Sequence, residues 1–333
     1  MKKSAVISIT IIFLLLFSTN CKNKEDKPET DKKTGYSIMQ KDDVPDFSGK
    51  NALDYVFKQV EFGPRNPNSK GHKAALEYLS KELAQYTDTL ILQAFTYTGY
   101  NDEKLFLTNI IGKINPQASN RILLCAHWDT RPMADQDPDP AKRDLPILGA
   151  NDGGSGVAVL LETAKILKEK KPLFGVDIIL FDGEDYGKAS DISNFCIGSK
   201  YFAAKKSRDY NPEIGILLDL IGDKEAKLFK EANSTAINKR LVDEIWKIAA
   251  RKGYKKFIDQ TGSAIYDDHI PLSEAGIMTI NIIDSELVGG HASDLRRNYW
   301  HTHKDTPDNL SAETLGEVGT VLINLIYSIQ FNK

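Results

Sequence analysis

Apolar positions recur along this chain at two spacings. Over residues 69–86, ending in HKAALEYLSKELAQY, they return every three or four residues, as on a helix with one buried face. Residues 155–169, 199–206, 235–253 and 311–331 read the same way, the last opening on Ser311 as a cap with Glu313 in its first turn. A second kind of segment is apolar almost without interruption: 121–127 (RILLCAH), 176–182 (VDIILFD) and 215–219 (GILLD). Successive side chains on a strand point to opposite faces, so a strand apolar at nearly every position is covered on both. Residues 90–97, 109–114 and 277–283 are further strand candidates. Alternating strands and helices predict a single α/β domain over 35–333, with a central, mostly parallel mixed sheet flanked by helices. Such sheets place ligand chemistry beyond the carboxyl ends of their strands. Here those ends carry His127, the pair Glu184 and Asp185, and Asp219.

The first 34 residues follow other rules. Residues 1–21 (MKKSAVISITIIFLLLFSTNC) place two lysines before an apolar run of about 13 residues, which reads as an export signal. That run falls short of the roughly 20 residues a spanning helix needs. The closing Ser18-Thr19-Asn20-Cys21 resembles a loose bacterial lipobox, so Cys21 is the expected lipid anchor of a periplasmic or outer-membrane-anchored protein. Cleavage nearby with Cys21 incidental is the plainer alternative. Residues 22–34 (KNKEDKPETDKKT) have no aliphatic or aromatic side chain to offset the entropy of ordering, and read as a flexible tether. Cys125 and Cys196 then remain, and an exported protein could pair them or bury them as thiols.

Composition excludes several classes. Lys+Arg 43 against Asp+Glu 46 gives a net charge of −3, without the clustered basic surface that phosphate contacts require, so nucleic acid is not an expected partner. With 41% hydrophobic and 27% charged residues the chain is ordinary globular protein, not collagen, coiled coil or disorder.

His127, Asp152, Glu184, Asp185, Asp219, Asp267, Asp268 and His301 form a set. Any one could be a cap or turn residue. Together, carboxylate oxygen and imidazole nitrogen suit a catalytic zinc, which takes three protein ligands and keeps one position open. A carboxylate next to a ligand in sequence can stay off the metal as general base or acid, a division of labour that fits Glu184 and Asp185.

Seven ordered motifs carry a more specific resemblance: FGPRNPNS (62–69), CAHWDTRP (125–132), LGANDGGSG (148–156), FDGEDYG (181–187), LLDLIGD (217–223), YDDHIPL (266–272) and NYWHTHKDT (298–306). Over roughly residues 50–330 the chain resembles the zinc-dependent glutaminyl cyclases, or glutaminyl-peptide cyclotransferases, in their animal-type bacterial branch. These share the fold of the zinc aminopeptidases. The resemblance implies one zinc on Asp152, Asp185 and His301, Glu184 as the proton-transferring acid, and Asp219 and Asp267 as acids sharing a hydrogen bond beside the metal. Trp300 would wall the substrate pocket. Asp185 stands where the animal enzymes have glutamate and Tyr266 where they have glutamine, so the pocket differs in shape there. The implied substrates are peptides or proteins with N-terminal glutamine, and contact with a membrane would come only through the lipid anchor.

In the aminopeptidase branch the positions of His127 and Asp219 hold a second zinc, so release of N-terminal residues is the alternative activity. A zinc-free binding lipoprotein on the same fold is a third reading. His72 and His291 belong to no motif and are expected in surface or loop positions, and His269 is expected as a structural hydrogen-bond partner. The acidic, proline-broken stretch 135–144 (DQDPDPAKRD) reads as a loop near the site that restricts peptide entry or binds calcium.

Overall fold

The computed structural model describes residues 35–189 and 191–332. The expected signal (1–21) and tether (22–34), with Cys21, lie outside the described residues. The chain runs β1 (Tyr36–Ile38), α1 (Gly49–Val60), α2 (Lys70–Tyr86), β2 (Thr89–Thr98), β3 (Lys104–Ile114), β4 (Arg121–His127), α3 (Gly154–Glu169) and β5 (Gly175–Phe181). It continues through α4 (Ile197–Lys205), β6 (Ile214–Asp219), β7 (Leu228–Lys230), α5 (Ala232–Lys252), β8 (Phe257–Thr261), α6 (His269–Glu274), β9 (Thr279–Ile283), α7 (Ala312–Ser328) and β10 (Ile329–Phe331).

Six strands form the central sheet in the order β2-β3-β5-β4-β6-β9. β4 pairs in parallel with β5 and β6, and β6 with β9, while the β2–β3 hairpin joins antiparallel at β5. This is the expected mixed, mostly parallel sheet. The uninterrupted apolar runs are explained by two-sided burial. Ile122, Leu124 and Ala126 of β4 pack with α1, α2, α3, α5 and α7 on one face. Leu123 and Cys125 of the same strand pack with Phe202 of α4 and Leu272 of α6 on the other. Asp177, the polar residue inside β5, is buried against Arg121, whose Nε and Nη2 each donate to it at 2.8 Å.

The structure departs from expectation at element ends. The helix expected over 311–331 stops at Ser328, and Ile329–Phe331 pairs with β1. The apolar periodicity runs on, but β1 offers the last three residues a ladder that a helix would leave unused. Helix α1 was not anticipated, although Ser48 caps it by accepting from the Asn51 amide at 3.2 Å. Cys125 and Cys196 are free, buried thiols. Among the described residues no helix is long and apolar enough to cross a membrane.

Candidate metal centre and active site

Strand register lines up the site. His127, the last residue of β4, pairs with Phe181 at the end of β5, and Asp219 ends β6 opposite Ile283 at the end of β9. Glu184 and Asp185 follow β5 through a turn in which Gly183 takes a positive φ of 73°. Asp152 arrives on the loop before α3. The buried Arg65 clamps that loop, donating to the carbonyl oxygens of Trp128 (3.0 Å), Leu148 (2.9 Å) and Gly149 (2.8 Å). Asp305 accepts from the amides of Asn151 (2.8 Å) and Asp152 (3.1 Å). Glycine is required at 153, because a Cβ there would lie 2.3 Å from the His127 carbonyl oxygen. That close approach sets Asp152 beside His127.

Two triads result, sharing Asp152. His301 Nε2 lies 3.2 Å from Asp185 Oδ1 and 3.6 Å from Asp152 Oδ2. His127 Nε2 lies 3.1 Å from Asp152 Oδ1 and 3.2 Å from Asp219 Oδ1. Donor atoms bound about 2.0–2.1 Å from a tetrahedral zinc sit about 3.3 Å apart, so both groups have metal-ligand spacing. Asp152 Oδ2 and Asp185 Oδ2 are buried without a hydrogen-bond partner. Burying such oxygens is costly unless a cation or proton meets them. The residues present therefore fit a zinc.

Glu184 stands off both triads. Its amide and that of Asp185 donate to the two oxygens of Asp129, at 3.0 and 3.3 Å, which fixes the backbone between base and ligand. Its Oε1 is 3.2 Å from Cys196 Sγ. Burial drives the Glu184 carboxyl well above the ordinary range, against His127 and with the help of Asp267, Asp185 and Asp268. Burial also pushes Asp219 up to about 7. Asp185 is held low instead, because His301 and Arg131 outweigh its burial.

No hydrogen bond joins Asp219 to Asp267. Asp219 faces His127, while Asp267 accepts from Asn281 Nδ2 (2.7 Å) and from the Asp268 amide (2.6 Å). Two carboxylates share a hydrogen bond only when one carries a proton, and the raised affinity of Asp219 is what would supply it. Asp152, Glu184, Asp185, Asp219, Asp267 and His301 line a cavity of about 70 Å³ together with apolar residues that include Ile265, Ile283, Val288 and Trp300. Tyr266 is 40% exposed at its rim. Larger cavities lie elsewhere, one of about 540 Å³ beside Asn120 and Phe174 at the far ends of β4 and β5, but its lining contains no acid or imidazole.

Three expectations change. His72 is no surface residue: it is 4% exposed, with Nε2 at 2.9 and 3.0 Å from the Asp182 oxygens and its ring stacked on Trp128 at 4.5 Å. Nothing local marked it, because Asp182 is 110 positions away. His269 is fully buried, but neither ring nitrogen makes a hydrogen bond, the nearest acid recorded for it being Glu231 at 3.4 Å. In the 135–144 loop, Asp135 is engaged by Arg131, and Asp137 by His303 and backbone amides, so its acids are not arranged around a cation. His291 is exposed in a loop as expected. Sequence reasoning missed the parts played by Asp129, Arg131, Asp135 and Asp305, although Asp129, Arg131 and Asp305 lie inside motifs it singled out and Asp135 in the loop it placed near the site.

Comparison with known proteins agrees with this geometry. The model of peptidase family M28 matches residues 109–326. A Zn-dependent exopeptidase from Parabacteroides distasonis is 43% identical, with a TM-score of 0.80 and coverage of 85% of this chain and 99% of that one. The glutaminyl cyclase of Tannerella forsythia is 40% identical, with the same TM-score and coverage. Among curated proteins, glutaminyl-peptide cyclotransferase from Bos taurus is 24% identical over 295 residues, covering 78% of this chain and 76% of the bovine protein. A family match across most of the folded chain, joined to acids and imidazoles gathered at the strand ends, leads to one assignment: the chain belongs to peptidase family M28.

Proposed function

We propose that this protein is a zinc-dependent glutaminyl-peptide cyclotransferase, which converts the N-terminal glutamine of peptides and proteins to pyroglutamate and releases ammonia. The observation that carries this reading is the small pocket, about 70 Å³, lined by acids together with Trp300, Ile265, Ile283 and Val288. It occurs in a chain 40% identical to the T. forsythia glutaminyl cyclase across 99% of that protein.

Asp152, Asp185 and His301 would hold one zinc, which supplies a Lewis acid to polarise the γ-carboxamide of the substrate. Glu184 takes a proton from the substrate's α-amine and returns one to the departing nitrogen. Its raised proton affinity suits it to both tasks. The α-nitrogen bonds to the carbonyl carbon of the γ-carboxamide, the bond from that carbon to the amide nitrogen breaks, and ammonia leaves. Asp219 and Asp267 orient the amine, and Trp300 with its apolar neighbours keeps water out. Holding amine and carbonyl in attack geometry supplies much of the rate of such an intramolecular reaction.

The second triad favours one other reading. With His127, Asp152 and Asp219 also at metal-ligand spacing, a two-zinc aminopeptidase is the alternative, and the P. distasonis relative is described as an exopeptidase. Incubating the zinc-loaded protein separately with a Gln-initiated and a Leu-initiated peptide, followed by mass spectrometry, decides. Loss of ammonia from the first with the second untouched supports the cyclase. Free leucine rejects it and gives His127 and Asp219 a metal. The export signal and Cys21 support an exported, lipid-anchored protein, and labelling with a fatty-acid analogue in cells carrying Cys21→Ala tests that part.

A further inference from the structure

Arg131 and Asp135 close a ring with two residues of the proposed zinc triad. Arg131 is 1% exposed, and its Nη1 donates to Asp185 Oδ1 at 2.8 Å. Its Nε and Nη2 donate to the two oxygens of Asp135, each at 2.8 Å, the planar fork of a bidentate pair. Asp135 Oδ1 lies 3.3 Å from His301 Nδ1, a buried nitrogen that makes no hydrogen bond and has this carboxylate as its acidic neighbour. His301 Nε2, 3.2 Å from Asp185 Oδ1, completes the ring.

Arg131 holds Asp185 through Oδ1, and Oδ2 makes no hydrogen bond, so the carboxylate is oriented and still has lone pairs to offer an ion. A carboxylate at Nδ1 favours the tautomer protonated there, which leaves the lone pair of Nε2. It also makes the imidazole a stronger donor to a metal. Arg131 keeps that carboxylate in place, and its charge offsets the added acid within the buried site.

We propose that Asp135, oriented by Arg131, is a positioning residue that sets the zinc affinity of the Asp152, Asp185 and His301 triad. The loop that sequence reading assigned to peptide entry or calcium thus acts on the metal through a histidine. The inference rests on the triad being the zinc site.

The test is zinc affinity, measured by competition with a chromogenic chelator on the purified full chain and on Asp135→Asn, Arg131→Lys and Asp139→Asn, alongside thermal unfolding of each metal-free form. Asp139, exposed in the same loop, is the control. Asp135→Asn is expected to weaken zinc binding 10- to 100-fold, the usual effect of removing such a partner, with Asp139→Asn within about twofold of the parent. Arg131→Lys keeps the charge but loses the fork, and is expected to weaken zinc as well, which covers the case of an unfolded Asp135→Asn. A lowered metal-free midpoint with unchanged zinc affinity means a structural role only and overturns the proposal. If the parent chain itself binds no stoichiometric zinc, the triad reading fails and this one with it. A tight parent with an equally tight Asp135→Asn overturns this inference alone.

Discussion

Replacing Glu184 by glutamine isolates the proposed proton transfer from everything else in the pocket. Glutamine has the same length, and the residue 184 amide still donates to Asp129, so the backbone stays where it is. The triad proposed to hold zinc does not include residue 184, so metal content is expected to be unchanged. The variant lacks only a side chain that can gain and lose a proton. General acid–base catalysis contributes on the order of 10² to 10⁴ in rate. At about 1.36 kcal/mol per decade, that is a barrier increase of about 2.7 to 5.4 kcal/mol. The loss should fall on kcat, with KM changed by no more than about threefold, because glutamine fills the same space. The assay is ammonia release from a Gln-initiated peptide, with zinc per chain measured on the same sample. A zinc-loaded Glu184→Gln protein turning over within about tenfold of the parent would refute the assignment, and the proton would have to be carried by another group such as Asp219 or Asp267.

Two further outcomes follow from buried groups outside the proposed chemistry. His72→Ala leaves Asp182 buried without its imidazole and removes the stack on Trp128, so urea unfolding should show a loss of about 3–5 kcal/mol. A loss below about 1 kcal/mol would mean that the pair contributes little. Glu231 caps α5 by accepting from the Asn233 and Ser234 amides, and accepts from Ile265 as well. Burial acts to raise its carboxyl, but His269, Ser234 and the backbone donors bring it down from 4.5 to about 2. A depressed folded value stabilises above the unfolded one, so about 3 kcal/mol is present at pH 6 and is lost as pH falls from 4.5 toward 2. The stability difference between the parent and Glu231→Gln should therefore shrink between pH 6 and pH 3, and a difference independent of pH would contradict it.

The sequence by itself determined the layered α/β fold and the end of the sheet where chemistry collects. Short runs apolar at nearly every position suit strands covered on both faces, and Ile122 to Ala126 divide between two cores accordingly. Polar residues that stop such runs must emerge at strand ends, which is where His127 and Asp219 stand. Motif wording added Asp152, Glu184, Asp185 and His301. Only the tertiary structure decided which of these acids meet, and what supports them. Local periodicity reports whether a side chain is buried relative to its own helix or strand, and carries nothing about which distant segment arrives beside it. His72 looked like a surface residue because Asp182 and Trp128 reach it from other elements. Asp135 read as part of a loop restricting peptide entry or binding calcium, and only folding brought it between Arg131 and His301. The last turn of the closing helix likewise became strand because β1, from the other end of the described chain, was there to pair with it.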